Sequence, residues 1–173
     1  YYSALVRSLD SSLGNMLERM AINLAKWFYE FKNNVEWNIY QEQVRVIADL
    51  LESYKNRWNW NKPKIEDYQK IREAKRWDNH HKIHISDYCL YDKEIDTYYL
   101  VELKIWWDLD NKKARSEKEA IFEQFAILSN SIAEDAKIQC KFATAYNRFG
   151  EWNEWKQERV RQFFSNDELL IWK

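Results

Sequence analysis

The chain has 173 residues with a formal net charge of −1, 46% hydrophobic and 17% aromatic, with only two glycines and one proline. That length suits one domain with a core of its own, spanning 1–173, and the scarcity of Gly and Pro excludes a linker-rich or disordered chain. No apolar run approaches the roughly 20 residues of a membrane span, and the near-neutral charge excludes a globally basic nucleic-acid binder.

The start "YYSALVRSLD" has neither the basic opening nor the small-residue cleavage site of a secretory signal, so a cytoplasmic location is expected. A start without Met and an end inside the apolar run "LLIWK" are what a piece of a longer protein would show. Cys89 and Cys140 fall in strand-like segments rather than at ligand spacing, which predicts reduced core thiols.

The first predicted element is a helix over roughly 12–32, opened by Asp10, Ser11 or Ser12 as cap, with Leu13, Met16, Leu17, Met20, Ile22, Leu24 and Trp27 near helical spacing. A second helix is predicted from "EWNIYQEQVRVIADLLESYKNRW", with Tyr40, Val44, Ile47, Leu50, Leu51 and Tyr54 on one stripe. A short third helix follows Pro63. Between Lys55 and Arg76 eight basic residues stand against three acids and are interleaved with Trp58, Trp60 and Tyr68. Such a mixture suits phosphates and exposed bases, or equally a solvated helix face with aromatic anchors beneath.

The pattern then changes to period two. "KIHISDYCLY" and "TYYLVELKIWW" flank the polar "DKEID", which predicts a β-hairpin turning near Lys93 to Asp96. "EAIFEQFAILSNSI" carries Ile121, Phe125, Leu128 and Ile132 as a buried helix stripe, "KIQCKFATAY" is a further strand, and "NEWKQERVRQFFSNDELLIWK" is a last helix with Val160, Phe163 and Phe164 inward, followed by a short apolar tail whose type the pattern leaves open. The order α, α, β, β, α, β, α implies an α/β fold, a central mixed sheet flanked by helices.

The second hairpin strand holds the chemical signal. Alternation puts Tyr98, Leu100, Glu102 and Lys104 on one face, so a carboxylate and an ammonium project side by side from an apolar strand. Asp87, fifteen residues upstream of Glu102, is brought beside the pair by the hairpin. Two carboxylates and a lysine at a strand end suit phosphodiester hydrolysis: the carboxylates can hold a hard divalent cation, and the lysine can orient water or neutralise transition-state charge. The tripeptide alone carries no meaning, because an acid, any residue and a lysine recur at Glu30–Lys32, Glu73–Lys75, Asp110–Lys112, Asp135–Lys137 and Glu154–Lys156. Only Glu102–Lys104 lies in an apolar strand with an acid in the strand before it.

"SD" at 86–87, "VELK" at 101–104 and the following helix with Gln124 resemble the PD-(D/E)XK nuclease superfamily, with Ser86 where the motif usually has proline. "SSLGNMLERMAINLA" resembles the first helix of type II restriction endonucleases, and "ATAYNRFGEWNEW" the tyrosine-asparagine segment of their TdeIII-like group. The resemblance implies an αβββαβ restriction-endonuclease-like core and a site-specific deoxyribonuclease acting on double-stranded DNA. It further implies Mg²⁺ as cofactor with Mn²⁺ able to substitute, a homodimer, and a cognate DNA methyltransferase encoded nearby. By the same likeness Asp87, Glu102, Lys104 and Glu18 are the catalytic set, with Asp87, Glu102 and the Leu103 carbonyl on the metal. Gln124 and His84 are candidate accessory residues. From the residues themselves, the loop carrying Lys112, Lys113 and Arg115 is a candidate for phosphate contacts, and Asn147 and Arg148, after Tyr146, are candidates to read base edges or else form an ordinary strand-to-helix turn. A repair, recombination or mobile-element nuclease and a noncatalytic DNA-binding domain are the competing readings. His80, His81 and His84 lack the Cys pair of a zinc site and the ββα turn of a His-metal nuclease.

Overall fold

The computed structural model describes residues 2–55, 62–75, 78–104, 109–144 and 157–170, with backbone alone at 2–10, 33–34, 79, 81 and 83–87. Its elements are α1 (Tyr2–Ala25), β1 (Glu30–Tyr40), α2 (Gln41–Lys55), α3 (Glu66–Glu73), β2 (Asn79–Asp92), β3 (Thr97–Lys104), α4 (Asn111–Ser131), β4 (Lys137–Thr144), α5 (Glu158–Arg161) and β5 (Leu169–Leu170). The five strands form one mixed sheet in the order β1-β2-β3-β4-β5. The first two pairings are antiparallel and the last two parallel, with α4 as the crossover between β3 and β4. This is the mixed α/β sheet with flanking helices that the sequence implies.

Two boundaries differ from expectation. The first helix stops at Ala25, and residues 30–40, assigned from sequence to the end of one helix and the start of the next, form β1. Val35, Trp37 and Ile39 alternate there with polar residues, and Val35 and Ile39 are fully buried under α4. The terminal apolar tail also resolves: Leu169 and Leu170 add a short parallel strand beside β4.

The main core lies between the sheet and α2, α3, α4 and α5, built on Leu51, Ile71, Leu100, Phe122, Phe142 and Phe163. An amide pair, Gln43 buried and Asn130 half-buried, ties these layers together. Gln43 and Asn130 exchange hydrogen bonds of 3.2 and 2.8 Å; Gln43 also donates to the Ile71 carbonyl and Asn130 to that of Asn38, so α2, α3, α4 and β1 share one network. Cys89 and Cys140 are buried and unbridged, and burial pushes their thiols up to about 11 and about 12, which makes them inert.

On the other face of the sheet lie Phe31, Tyr88 and Tyr99, crossed by α1: the Tyr88 hydroxyl donates to the Glu18 carbonyl at 3.1 Å and Lys26 stands over the Phe31 ring. Here the apolar stripe read from sequence is largely exposed, with Leu13, Met16, Met20, Leu24 and Trp27 all facing solvent. No helix among the described residues is long and apolar enough to cross a membrane.

Tyr68 decides between the two readings of the basic aromatic segment at its position. It is buried against Phe122 and Phe125, with its hydroxyl on Glu168, and is therefore an anchor of the core. Arg72 likewise spends its guanidinium on the carbonyls of Glu134 and Ala136. Trp58 and Trp60 lie outside the described residues.

Candidate active site

β3 is the central strand, paired on both sides, and its apolar residues are what bury it. Its carboxylate Glu102 is 7% exposed as a residue, and Lys104, two positions on, donates from Nζ to Glu102 Oε1 at 2.6 Å. The tripeptide at Glu30–Lys32 makes the same bond at the same 2.6 Å, but its side chains are 39% and 45% exposed, against 8% and 29% for Glu102 and Lys104. Geometry is shared; desolvation is not. In the exposed pair solvent screens both charges, whereas at Glu102 the low-dielectric surroundings strengthen every interaction the carboxylate makes.

A third charged group joins from α4. Lys104 Nζ stands 3.2 Å from Glu117 Oε2, so one ammonium is held between a strand carboxylate and a helix carboxylate. The helix is set by its cap, the Asp110 side chain accepting from the Lys113 N–H at 2.7 Å, and by a second ion pair to the sheet, Lys82 to Glu123 at 2.8 Å. Glu117 was not singled out from sequence. The signal was present: it lies seven residues before Gln124, hence on nearly the same helix stripe.

The hairpin follows the expected register. Tyr88 pairs with Val101, so Asp87 is the residue just before one member of that pair and Glu102 the residue just after the other. The turn spans residues 93–96, closed by Asp96 at φ 48°, a left-handed conformation that aspartate tolerates, with Tyr91 Oη donating to its carboxylate. Against β1, two steps from Lys32 to Asn34 match four from Cys89 to Ile85; the extra residues fall in the stretch of β2 that contains Asp87. Bulges of this kind re-aim side chains beside active sites. The side chains of Asp87 and His84 are outside the described residues, as are Tyr146, Asn147 and Arg148 altogether.

Of the remaining candidates, Gln124 is buried on α4 and Leu103 lies between the paired charges in β3. Lys112 and Lys113 are exposed in the first turn of α4; Arg115 is half-buried, 3.9 Å from Glu119. Glu18 lies on α1. Its carbonyl meets Tyr88, whose partner Val101 points to the sheet face opposite Glu102. His80 is exposed at the far end of β2, paired with Ile39. Among the described residues no cluster of three His, Cys, Asp or Glu side chains could hold a metal.

No curated protein and no solved structure matches this chain. One family model does, described as "Type II restriction endonuclease, HinfI", and it covers residues 1–173. The match supports the restriction-endonuclease-like, PD-(D/E)XK assignment and with it a hydrolase that cuts DNA, and it does not carry the narrower TdeIII-like likeness. A desolvated Glu–Lys pair at the end of the central strand, inside a mixed sheet of this topology, agrees with a match that spans the whole chain: the protein belongs to the HinfI family of type II restriction endonucleases.

Proposed function

We propose that the protein hydrolyses phosphodiester bonds of double-stranded DNA at a specific sequence in a Mg²⁺-dependent reaction, Mn²⁺ substituting, and acts as a homodimer so that two sites serve two strands. The observation that carries this reading is the buried Glu102 carboxylate with Lys104 at 2.6 Å on the same strand face, in a chain of this family. The ion would be held by Glu102, Asp87 and the Leu103 carbonyl. These are oxygen donors, the type a hard divalent cation selects. When bound, the ion polarises the scissile phosphate and makes a water more acidic.

The chain's own part is placement and charge. The Lys104 ammonium, held by Glu102 and Glu117, carries the positive charge that would act on a phosphoryl oxygen or on the attacking water. As the new P–O bond forms and the bond to the leaving oxygen breaks, negative charge grows on the phosphoryl oxygens, and an ammonium already in place stabilises it without reorganisation. Glu18, on α1, is the fourth member of the proposed catalytic set.

The direct test is incubation of a plasmid of known sequence with Mg²⁺, with and without chelator, followed by sequencing of the ends. Discrete fragments with one shared end sequence, abolished by chelator, are expected. Fragments with unrelated ends, or cleavage that follows DNA structure, would sink the site-specific reading. A cognate DNA methyltransferase encoded nearby is expected on the same reading, because a site-specific nuclease needs its host sites masked.

Lys112, Lys113 and Arg115 are assigned to backbone phosphates at the N-terminus of α4, where the helix dipole adds to their charge, and Asn147 and Arg148 to base edges. Replacing both Lys112 and Lys113 by alanine is expected to lower the slope of log affinity against log salt by about 2, at roughly 0.9 per phosphate contact, and to weaken cognate and non-cognate DNA alike. A salt slope equal to that of the parent protein would remove these lysines from the interface.

A further inference from the structure

Lys104 carries its charge on a four-carbon stem with free torsions, and a single partner on its own strand would leave the ammonium able to swing. Glu117 supplies a second point of hold from a different element. Its Oε2 is 3.2 Å from Lys104 Nζ, while Glu102 Oε1 is at 2.6 Å, so the nitrogen is fixed between strand and helix. Glu117 is 22% exposed, well below the solvent-screened pairs of this chain such as Lys55–Glu52 at 47% and 67%. Its helix is anchored by the Asp110 cap and the Lys82–Glu123 bridge, which makes α4 a rigid support.

We propose that Glu117 is the positioning residue that aims the Lys104 ammonium at the scissile phosphate and holds it there through turnover. The inference rests on the reading of Lys104 given above. A carboxylate acting only through Lys104 alters the rate of the chemical step and leaves DNA affinity alone, as supporting partners of catalytic groups do. Removing such a partner costs roughly 10- to 100-fold.

The experiment compares Glu117→Gln, Glu117→Ala, Lys104→Ala and the double variant Lys104→Ala/Glu117→Gln. Single-turnover cleavage is followed with Mg²⁺, and DNA affinity is measured separately with Ca²⁺. Both Glu117 variants should cleave roughly 10- to 100-fold more slowly with affinity within twofold of the parent's, by the same second-partner effect. The double variant should be no slower than Lys104→Ala alone, because one residue working through another is non-additive. Parental rates in both Glu117 variants beside an inactive Lys104→Ala would overturn the assignment, as would a double variant slowed by the full Glu117 factor. Thermal unfolding of Glu117→Gln, an isosteric change on a stable helix, separates a lost fold from a lost alignment. If Lys104→Ala itself cleaves at the parental rate, the role given to Lys104 and the inference built on it fall together.

Discussion

Lys104→Ala and Glu102→Ala are each expected to lower cleavage by at least roughly 10² to 10³, the usual cost of deleting one preorganised electrostatic contact in a water-poor site. DNA binding, carried by phosphate contacts elsewhere, should persist. The two variants fail for different reasons. Without Lys104, Glu102 and Glu117 lose the cation between them, and a carboxylate that is 8% exposed then sits near a like charge. Repulsion between the two carboxylates, no longer bridged, disturbs Glu102 as a cation ligand. Without Glu102 the ammonium keeps Glu117 but loses the strand partner that fixes it beside the metal donors. The internal control is Lys32→Ala, which removes an equally short pair from an exposed tripeptide of the same pattern and should cleave as the parent does. Rates from purified variants with matched circular-dichroism spectra decide the matter. Parental cleavage by Lys104→Ala, or loss of activity in Lys32→Ala, would show that burial is not what distinguishes these two pairs.

That contrast also shows what was legible in the sequence. The tripeptide occurs six times, and context alone picked out Glu102–Lys104, because strands bounded by apolar residues are interior and charges there are costly. The hairpin was legible for the same reason: alternation on both arms and a polar turn leave one register, and Tyr88 with Val101 is the pair it requires. β1 was not legible. Tyr40, Val44 and Ile47 continue a helix stripe backward from α2, and that local fit masked the alternation of Val35, Trp37 and Ile39, of which Val35 and Ile39 are buried by α4, a helix far later in the chain. The apolar stripe of α1 failed in the opposite way. Periodicity reports that residues share a face, and it does not say that the face is covered. The one sequence mark of Glu117, its place seven residues before Gln124, does not separate it from the other acids of α4; only the closing of β3 onto α4 brings it to Lys104.

The residue next to Glu117 meets the opposite fate. One step along α4 turns the helix by about 100°, which carries Lys118 into the core, completely buried and held by Glu168, with its ammonium 4.1 Å from the Phe122 ring centre and 5.4 Å from that of Phe164. Burial pulls the lysine below its ordinary range, and the Glu168 charge opposes that pull. Glu168 is in turn satisfied by the Tyr68 hydroxyl and by the N–H and hydroxyl of Ser165 at 2.8 and 2.9 Å, while its backbone carbonyl receives the Phe142 N–H at the mouth of β5. The pair therefore pins the end of the chain, residues 157–170, to α4 and the sheet. Lys118→Met should cost about 3–5 kcal/mol, since it strands a buried carboxylate, and at about 2–4 °C per kcal/mol for a chain of this size it should lower Tm by about 6–20 °C. The double variant Lys118→Met/Glu168→Met should recover most of that loss, because two apolar side chains replace two desolvated charges. Cleavage by Lys118→Met, assayed well below its lowered Tm, should proceed at the parental rate, unlike that of Glu117→Gln. A Tm unchanged by Lys118→Met would mean the ion pair does not hold the C-terminal segment, and slow cleavage by the still-folded variant would make Lys118 part of the site.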